Sequence, residues 1–147
     1  MTVKDLYSLP KIDDCIDSLR DAASFPTMDA NSGYWQMKIR EKDRPTTAFV
    51  AHNVTYQYTR MFFGLTNTSA SFKRVLDMRL TKSKRKTCLI YLDEIIVYSN
   101  SIEDHIRHIH EVLQALKKGG VKLNIEKSKF FTIKVEYLRN IIKSRKL

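Results

Sequence analysis

The stretch CLIYLDEIIVYS, residues 88–99, is almost wholly apolar, β-branched or aromatic, yet it carries Asp93 and Glu94 side by side in its middle. Such a composition favours buried strands. In one continuous strand, the alternation of side chains would send one of the two carboxylates into the core. Burial of a carboxylate without a partner costs several kcal/mol. The stretch therefore predicts a tight hairpin whose strands, KTCLIYL and EIIVYS, meet at the two acids, where both face a cleft.

Two carboxylates at one bend repel each other, and a divalent cation relieves that repulsion. A third acid, Asp29, ends a short apolar strand, and antiparallel pairing would bring it beside Asp93. Spacing alone leaves two interpretations open. The first is a two-metal cleft formed by Asp29, Asp93 and Glu94. The second is an ordinary acidic turn, which is common in hairpins.

The rest of the chain mixes helices with hairpins. Helices are predicted over residues 12–20, over SASFKRVLDMRL, and from a cap at Ser101 to the Gly119–Gly120 pair. The apolar stripe that we expect the last helix to bury consists of Ile102, Ile106, Ile109, Leu113 and Leu116. The other predicted strands are SFPTMD, YWQMKI, TTAFVA, VTYQYTR, VKLNIEKSKFF and VEYLRNII. This order predicts an α+β fold, with one antiparallel sheet and helices packed on one face.

The charge balance indicates the class of partner. The 147 residues fit one domain, and 26 Lys and Arg against 16 Asp and Glu give a net charge of +10. A surplus of this size indicates a polyanionic partner, most often nucleic acid. The two cysteines, Cys15 and Cys88, have no zinc-site spacing, which favours a reducing compartment. We expect no membrane span, because no apolar run approaches about 20 residues.

Six segments, taken in order, resemble the reverse transcriptase of gypsy-type long-terminal-repeat retrotransposons, which are relatives of the retroviruses. They are KDLYSLPKIDD, FPTMDANSGYWQM, TAFVAHNVTYQYTRMFFGLTNTSASF, CLIYLDEIIVYS, HEVLQALKKGGVKLNIEKSKFF and VEYLRNII. The resemblance implies a polymerase palm fold. It also implies that Asp29, Asp93 and Glu94 are catalytic residues that hold Mg²⁺, or Mn²⁺ in its place.

Further positions of the chain match the nucleotide pocket of this family. Tyr34 falls where an aromatic ring lies against the incoming sugar, although a core-packing aromatic is the alternative for this residue. Phe63 and Gly64 match the block beneath the templating base pair. Lys127 falls near a lysine proposed to protonate pyrophosphate, with a solvated surface lysine as the alternative. These four residues are the predicted nucleotide-binding set.

The primer end has its own predicted contact. Residues 136–142 resemble the hairpin that steadies it, so Tyr137, Leu138 and Arg139 are the predicted primer grip. The implied reaction is addition of deoxynucleotides from their triphosphates to a primer 3′-hydroxyl on an RNA or DNA template. We expect residues 1–147 to form a single palm domain with part of the fingers. The main fingers segment, thumb, connection and ribonuclease H would belong to the remainder of a Pol polyprotein.

The family resemblance also implies a location within the cell. A retroelement polymerase is expected in a cytoplasmic particle or in the nucleus, and not among secreted proteins. The start of the chain, MTVKDLYSLPK, agrees with this expectation because it lacks an apolar signal core.

Several positions depart from the family pattern. Glu94 stands where a second Asp is usual, and its extra methylene displaces the carboxylate by up to ~1.5 Å. Octahedral Mg²⁺ tolerates such a displacement poorly. Phe62, Thr68–Ser69, Ser128 and Arg139–Asn140 replace Pro, Ala-Pro, Cys and Gly-His respectively. We therefore expect impaired or absent activity, and two alternatives stay open: a non-catalytic nucleic-acid-binding remnant, and a scaffold for protein contacts.

Overall fold

A computed structural model describes residues 3–5, 7, 19, 22, 26–81, 83, 86–91, 93–130, 132, 134–137 and 140–143. The strands are β1 (Thr27–Ala30), β2 (Phe49–Ala51), β3 (Val54–Tyr56), β4 (Cys88–Tyr91), β5 (Glu94–Val97), β6 (Leu123–Lys129), β7 (Lys134–Tyr137) and β8 (Asn140–Lys143). The α-helices are α1 (Thr68–Arg79) and α2 (Ile102–Lys118), and Gly33–Gln36 and Glu41–Thr47 are 3₁₀ helices. The predicted helix over 12–20, Cys15, Leu138 and Arg139 lie outside the described residues.

The α+β class with an antiparallel sheet is confirmed, but the strands do not all join one sheet. Four of them form the central sheet in the spatial order β4-β5-β1-β6, with β1 antiparallel to both of its neighbours. Strands β2 and β3 form a separate hairpin, and β7 and β8 form another. VEYLRNII was expected to be one strand, and it is instead divided between β7 and β8. Among the described residues, no helix is long and apolar enough to cross a membrane.

The core lies between the central sheet and the two α-helices. Side chains alternate along each strand, so every second residue of the sheet reaches the helices. From the sheet these are Met28, Ala30, Cys88, Ile90, Ile95 and Val97, and from the helices Phe72, Leu76, Val112 and Leu116. All of them are almost fully buried. This packing leaves the opposite face of the same strands to carry Asp29 and Glu94.

The buried stripe of α2 differs from the predicted one. Ile102 and Ile106 are 71% and 59% exposed, whereas His105, Val112 and Leu116 are buried. His105 is accommodated because its Nε2 lies 3.2 Å from the carbonyl oxygen of Phe130. The ends of α2 are as expected: the Ser101 hydroxyl accepts a bond from the Asp104 N–H, and the helix stops before Gly119–Gly120.

The segment YWQMKI was predicted to be a strand, and this is wrong. Ser32 takes a left-handed conformation with φ 49°, and the Trp35 N–H bonds its carbonyl at 2.8 Å. These two features close a tight turn that begins the 3₁₀ helix Gly33–Gln36. Only Lys38 pairs as a strand residue would, in a single bridge to Arg60.

The described N-terminal residues are attached to α1. The Asn67 side chain donates to the Val3 carbonyl and accepts from the Asp5 N–H, instead of capping the helix. One turn into the helix, Arg74 binds both carboxylate oxygens of Asp5 at 2.7 and 2.9 Å. The Tyr7 hydroxyl donates to Asp77 at 2.6 Å, and a buried Lys73 binds the same carboxylate oxygen at 3.2 Å. Tyr7 therefore joins a buried ion pair of α1.

One glutamine side chain connects the start of β6 to the turn after β1. The Gln36 amide nitrogen donates to the carbonyls of Asn31 and Lys122 at 2.7 and 2.8 Å. Its amide oxygen accepts from the Lys122 N–H at 2.8 Å. A carboxamide that satisfies both backbone groups of one residue replaces a rung of strand pairing. Gln36 therefore fixes the backbone immediately before β6.

Gly33 is required by close packing. A Cβ at this position would lie 2.8 Å from two ring carbons of buried Phe72, so Gly33→Ala should lower the free energy of unfolding by about 1–3 kcal/mol. The matched control is Gly119→Ala, whose Cβ would meet only the flexible, exposed side chain of Arg79. Urea unfolding of both variants measures the difference. Equal losses would contradict the packing explanation.

Gln36→Ala should also destabilise the chain, by about 1–3 kcal/mol, because it leaves backbone groups of Asn31 and Lys122 without a partner. Gln36→Glu should not restore stability, since a carboxylate would face the two carbonyl oxygens. Gln114→Ala, whose side chain binds only His110 on the surface of α2, is the control. Thermal unfolding of the three variants checks this expectation.

Candidate active site

The two acidic segments meet through the pairing of β1 with β5. Met28 lies opposite Ile95, and Asp29 lies directly opposite Glu94. At the end of this ladder the Ala30 N–H bonds the Asp93 carbonyl at 3.3 Å. The antiparallel pairing expected from the sequence is therefore present, and it places acids separated by more than sixty positions at neighbouring points of one sheet.

The strand register decides which way the acids face. Met28 and Ile95 belong to the core beneath the helices, so Asp29 and Glu94, one position further along, lie on the helix-free face. Asp93 occupies the turn between β4 and β5, and Glu94 is the first residue of β5 rather than part of the bend. All three carboxylates are half-buried. This arrangement keeps charge out of the core although the strands on either side of the turn are buried.

The surroundings of the acids make their charged forms costly. Burial raises the pKa of Asp29, and Asp93 raises it further, while Lys127 opposes the shift. Burial likewise raises the pKa of Glu94, with added contributions from Asp93 and Asp29 and an opposing one from Lys129. Each acid therefore experiences its neighbours as unfavourable negative charge, which a cation placed among them would offset.

The chemistry of these donors fits Mg²⁺ or Mn²⁺. Mg²⁺ prefers oxygen ligands and is commonly held by one or two carboxylates together with substrate phosphates. Within the ranges that the structure describes, no three Asp, Glu, His or Cys side chains are arranged to share one ion. The pairs that Asp29 forms with Glu94 and with the turn residue Asp93 are consistent with the smaller ligand set.

Strand β6 borders the site from the other side of β1, and it does so irregularly. Its pairing with β1 shifts between Thr27, opposite Lys129, and Asp29, opposite Asn124. Ser128 accepts a hydrogen bond from the Asp29 N–H at 3.2 Å. Lys127, predicted at the nucleotide site, is exposed and acts electrostatically on Asp29. Sequence reasoning noted Ser128 only as a replacement for a usual Cys and missed its contact with Asp29.

The aromatic part of the predicted nucleotide pocket is partly inside the core. Tyr34 is only 8% exposed, packs edge-on against Phe72, and has its hydroxyl 3.1 Å from Ser69 Oγ. Phe63 lies edge-on to Tyr34 with ring centroids 4.9 Å apart and is 66% exposed. Gly64 adopts φ +98°, a conformation that side-chain-bearing residues rarely take. The structure thus brings Tyr34 and Phe63 together, with Phe63 as the exposed ring.

The predicted primer grip is described only in part. Tyr137 ends β7 and pairs with Asn140 of β8, so the hairpin matched by residues 136–142 is present in the backbone. Because Leu138 and Arg139 lie outside the described residues, their role stays a prediction.

A row of aromatic rings runs along the surface beyond the Gly33–Gln36 helix. Tyr58 lies at its centre, 4.0 Å from Phe62, 5.2 Å from Phe49 and 6.1 Å from Trp35 between ring centroids. Trp35 and Phe49 are each 42% exposed. Rings of this kind accept stacked bases in proteins that bind single-stranded nucleic acid. The alternation of VTYQYTR indicated a strand there but not this surface.

Comparison with known proteins supports a family assignment. A profile described as reverse transcriptase (RNA-dependent DNA polymerase) matches residues 1–142. The chain is 38% identical over 142 residues to the retrovirus-related Pol polyprotein from transposon opus of Drosophila melanogaster, covering 97% of this chain. The Pol polyprotein from transposon gypsy of the same organism is 38% identical over 141 residues. In each case the chain spans 14% of the relative's length.

Solved structures share the fold at lower sequence identity. The foamy viral protease–reverse transcriptase in complex with double-stranded DNA superimposes with a TM-score of 0.85 and 20% identity, over 96% of this chain and 25% of the other. The same kind of protein in complex with an RNA/DNA hybrid gives 0.82 and 20%, over 93% of this chain and 18% of the other. With its acids placed on one sheet and its profile match nearly end to end, the chain belongs to the reverse transcriptase (RNA-dependent DNA polymerase) family, and its relatives include gypsy-type retrotransposon Pol polyproteins.

Proposed function

We propose that this chain is the palm of a retrotransposon reverse transcriptase, with part of the fingers, and that it acts as one portion of a longer Pol polyprotein. Its reaction is nucleotidyl transfer from deoxynucleoside triphosphates to a primer 3′-hydroxyl on an RNA or DNA template. The observation that carries the proposal is the register of β1 on β5. It sets Asp29 opposite Glu94 and beside the Asp93 turn, on the face that no helix covers.

The chain's own residues have simple tasks in this reaction. Asp29 and Asp93, with Glu94, hold two Mg²⁺ or Mn²⁺ ions, which supply activation of the attacking hydroxyl and neutralisation of the leaving pyrophosphate. Phosphoryl transfer needs positioning and charge stabilisation more than covalent help. Lys127, exposed beside Asp29, is placed to meet the phosphates of the triphosphate. The net charge of +10 favours binding of template and primer through their phosphates.

The nucleotide pocket is proposed around Tyr34, Phe63 and Gly64. Phe63 presents its ring to solvent and rests on Tyr34, which is itself fixed by Phe72 and Ser69. A rigidly held aromatic pair of this kind suits exclusion of a 2′-hydroxyl from the sugar site. Gly64 leaves its side of the backbone open, since nothing lies within 4 Å of where a Cβ would stand.

Glu94 is the residue expected to limit the reaction. It sits at the first position of β5, where the strand fixes its backbone, so the longer side chain cannot be compensated by moving the main chain. A ligand misplaced by about 1 Å costs about 10²-fold in rate. The alternative function, a non-catalytic nucleic-acid-binding remnant, is favoured by this same residue and by the absence, among described residues, of a closed three-ligand cluster.

Primer extension on an RNA template with Mg²⁺ tests the proposal. Glu94→Asp should raise extension by about 10²-fold over the unmodified chain, because the shorter carboxylate restores the ligand position. Asp29→Asn in the Glu94→Asp background should abolish the gain. The assay is run on the chain and, in parallel, on a parent polyprotein that contains it.

The control for this assay is Glu111→Asp, which shortens an exposed acid on α2 by the same methylene. It should leave extension unchanged. If neither Glu94 form extends a primer in either context, while both bind single strands with an affinity that falls steeply with salt, the remnant function replaces the polymerase. Absence of binding at about 50 mM salt would favour a protein scaffold instead.

The raised pKa values predict how stability varies with pH. Because the folded chain holds protons on Asp29 and Glu94 to higher pH than the unfolded chain does, unfolding free energy should fall as pH rises above about 4, until both acids are ionised. Glu94→Gln should reduce this fall and raise the midpoint temperature at pH 7, since it removes one of the repelling charges. Thermal unfolding in a chelating buffer from pH 4 to 8 measures the effect.

Glu111→Gln on α2 is the matched control, as it removes an exposed acid distant in sequence from both. It should keep the slope of the unmodified chain. An unchanged slope in Glu94→Gln would contradict the crowding of charge inferred for the site. Added Mn²⁺ should stabilise the unmodified chain more than Glu94→Gln.

A further inference from the structure

The irregular edge of the sheet beside Asp29 is built from residues of β6. Two steps along β1, from Thr27 to Asp29, correspond to five steps along β6, from Lys129 to Asn124. The additional β6 residues form a bulge, which we define as residues 124–128. Bulges re-aim side chains and are frequent next to active sites. The question is what holds this one in place.

Internal hydrogen bonds close the bulge. The Ser128 hydroxyl donates to the carbonyl oxygen of Asn124 at 2.6 Å. The Asn124 side-chain oxygen accepts from the Lys127 N–H at 3.2 Å. Together these bonds fold the bulge back on its own first residue. The position of Lys127 therefore depends on local contacts rather than on the strand ladder.

The same Ser128 hydroxyl also holds β1. In β1 and the turn after it, backbone N–H groups point alternately to the two neighbouring strands. The Ala30 N–H goes to the Asp93 carbonyl, and the Asn31 N–H goes to Lys122 before β6. The Asp29 N–H also points toward β6, but it meets the Ser128 oxygen at 3.2 Å instead of a backbone carbonyl. A side chain thus provides one rung of the sheet at the acidic residue.

We propose that Ser128 is a positioning residue that fixes the backbone of Asp29, and that through the bulge it also sets Lys127 beside the Asp29 carboxylate. This inference rests on the proposed function, since it assigns to Ser128 the placing of a ligand for a divalent ion. Residues that orient metal ligands commonly affect metal affinity by 10–100-fold when replaced. Ser128 is half-buried, so water replaces its hydroxyl less freely than on the open surface.

The test measures Mn²⁺ binding to the chain, without nucleic acid, by the electron paramagnetic resonance signal of free Mn²⁺. Ser128→Ala should weaken Mn²⁺ binding by about tenfold, because Asp29 loses the bond to its N–H. It should also speed hydrogen exchange of the Asp29 amide. Ser128→Thr keeps the hydroxyl and should restore both properties. Ile125→Ala, an exposed apolar residue of the same bulge, is the matched control and should change neither.

Three results would overturn the inference. The first is Mn²⁺ affinity and Asp29 exchange that are unchanged in Ser128→Ala. The second is loss of affinity in Ser128→Ala that Ser128→Thr does not restore. The third is global unfolding of Ser128→Ala, which would make the hydroxyl a requirement of folding rather than of placing Asp29. Failure of the proposed function is distinct from these, because the unmodified chain would then bind no Mn²⁺ at all.

Discussion

The pairing of β1 with β5 is the contact on which the rest of this structure depends. Side chains alternate along strands, so a shift of one residue would exchange the two faces of β1. Met28 would leave the core, and Asp29 would enter it beneath the helices. The cost of burying a carboxylate and exposing a large apolar side chain therefore enforces the same register that assembles the candidate site. Folding and function are specified here by one choice.

That register also concentrates negative charge, and the chain answers it from a single strand. Lys127 and Lys129, both on β6, act on Asp29 and Glu94 respectively. Both lysines are exposed, so their attraction is partly screened by water and does not cancel the burial of the acids. The residual imbalance leaves the site ready to gain from a cation. In a protein with ten excess positive charges, this face is a local exception.

Much of this arrangement could be predicted from sequence, because it depends on local patterns. The turn at Asp93, the cap at Ser101 and the helix stop at Gly119 each rely on the chemistry of a few adjacent residues. The encounter of Asp29 with the acidic turn also followed, since few other places suit three carboxylates. The exact partner, Glu94, did not follow, because a period of two gives the faces of a strand but not its register.

The errors have physical causes of the same kind. The helix α2 offers two overlapping apolar stripes, and the one containing His105 is buried because the Phe130 carbonyl gives the imidazole a partner. That carbonyl lies twenty-five residues away and cannot be read from the helix itself. Ser128 was overlooked for a similar reason. A serine in a polar stretch looks unremarkable until the bulge directs its hydroxyl at the Asp29 N–H.

The attachment of Tyr7 to α1 has a consequence for the order in which the molecule comes apart. The hydroxyl of Tyr7 reaches Asp77 across 70 residues of chain, and closing a loop of that length costs about 4 kcal/mol in entropy. Because the buried Lys73 keeps its bond to Asp77 without the tyrosine, α1 loses little when that loop opens. The N-terminal segment is therefore the part that detaches first under mild denaturant, before the central sheet yields.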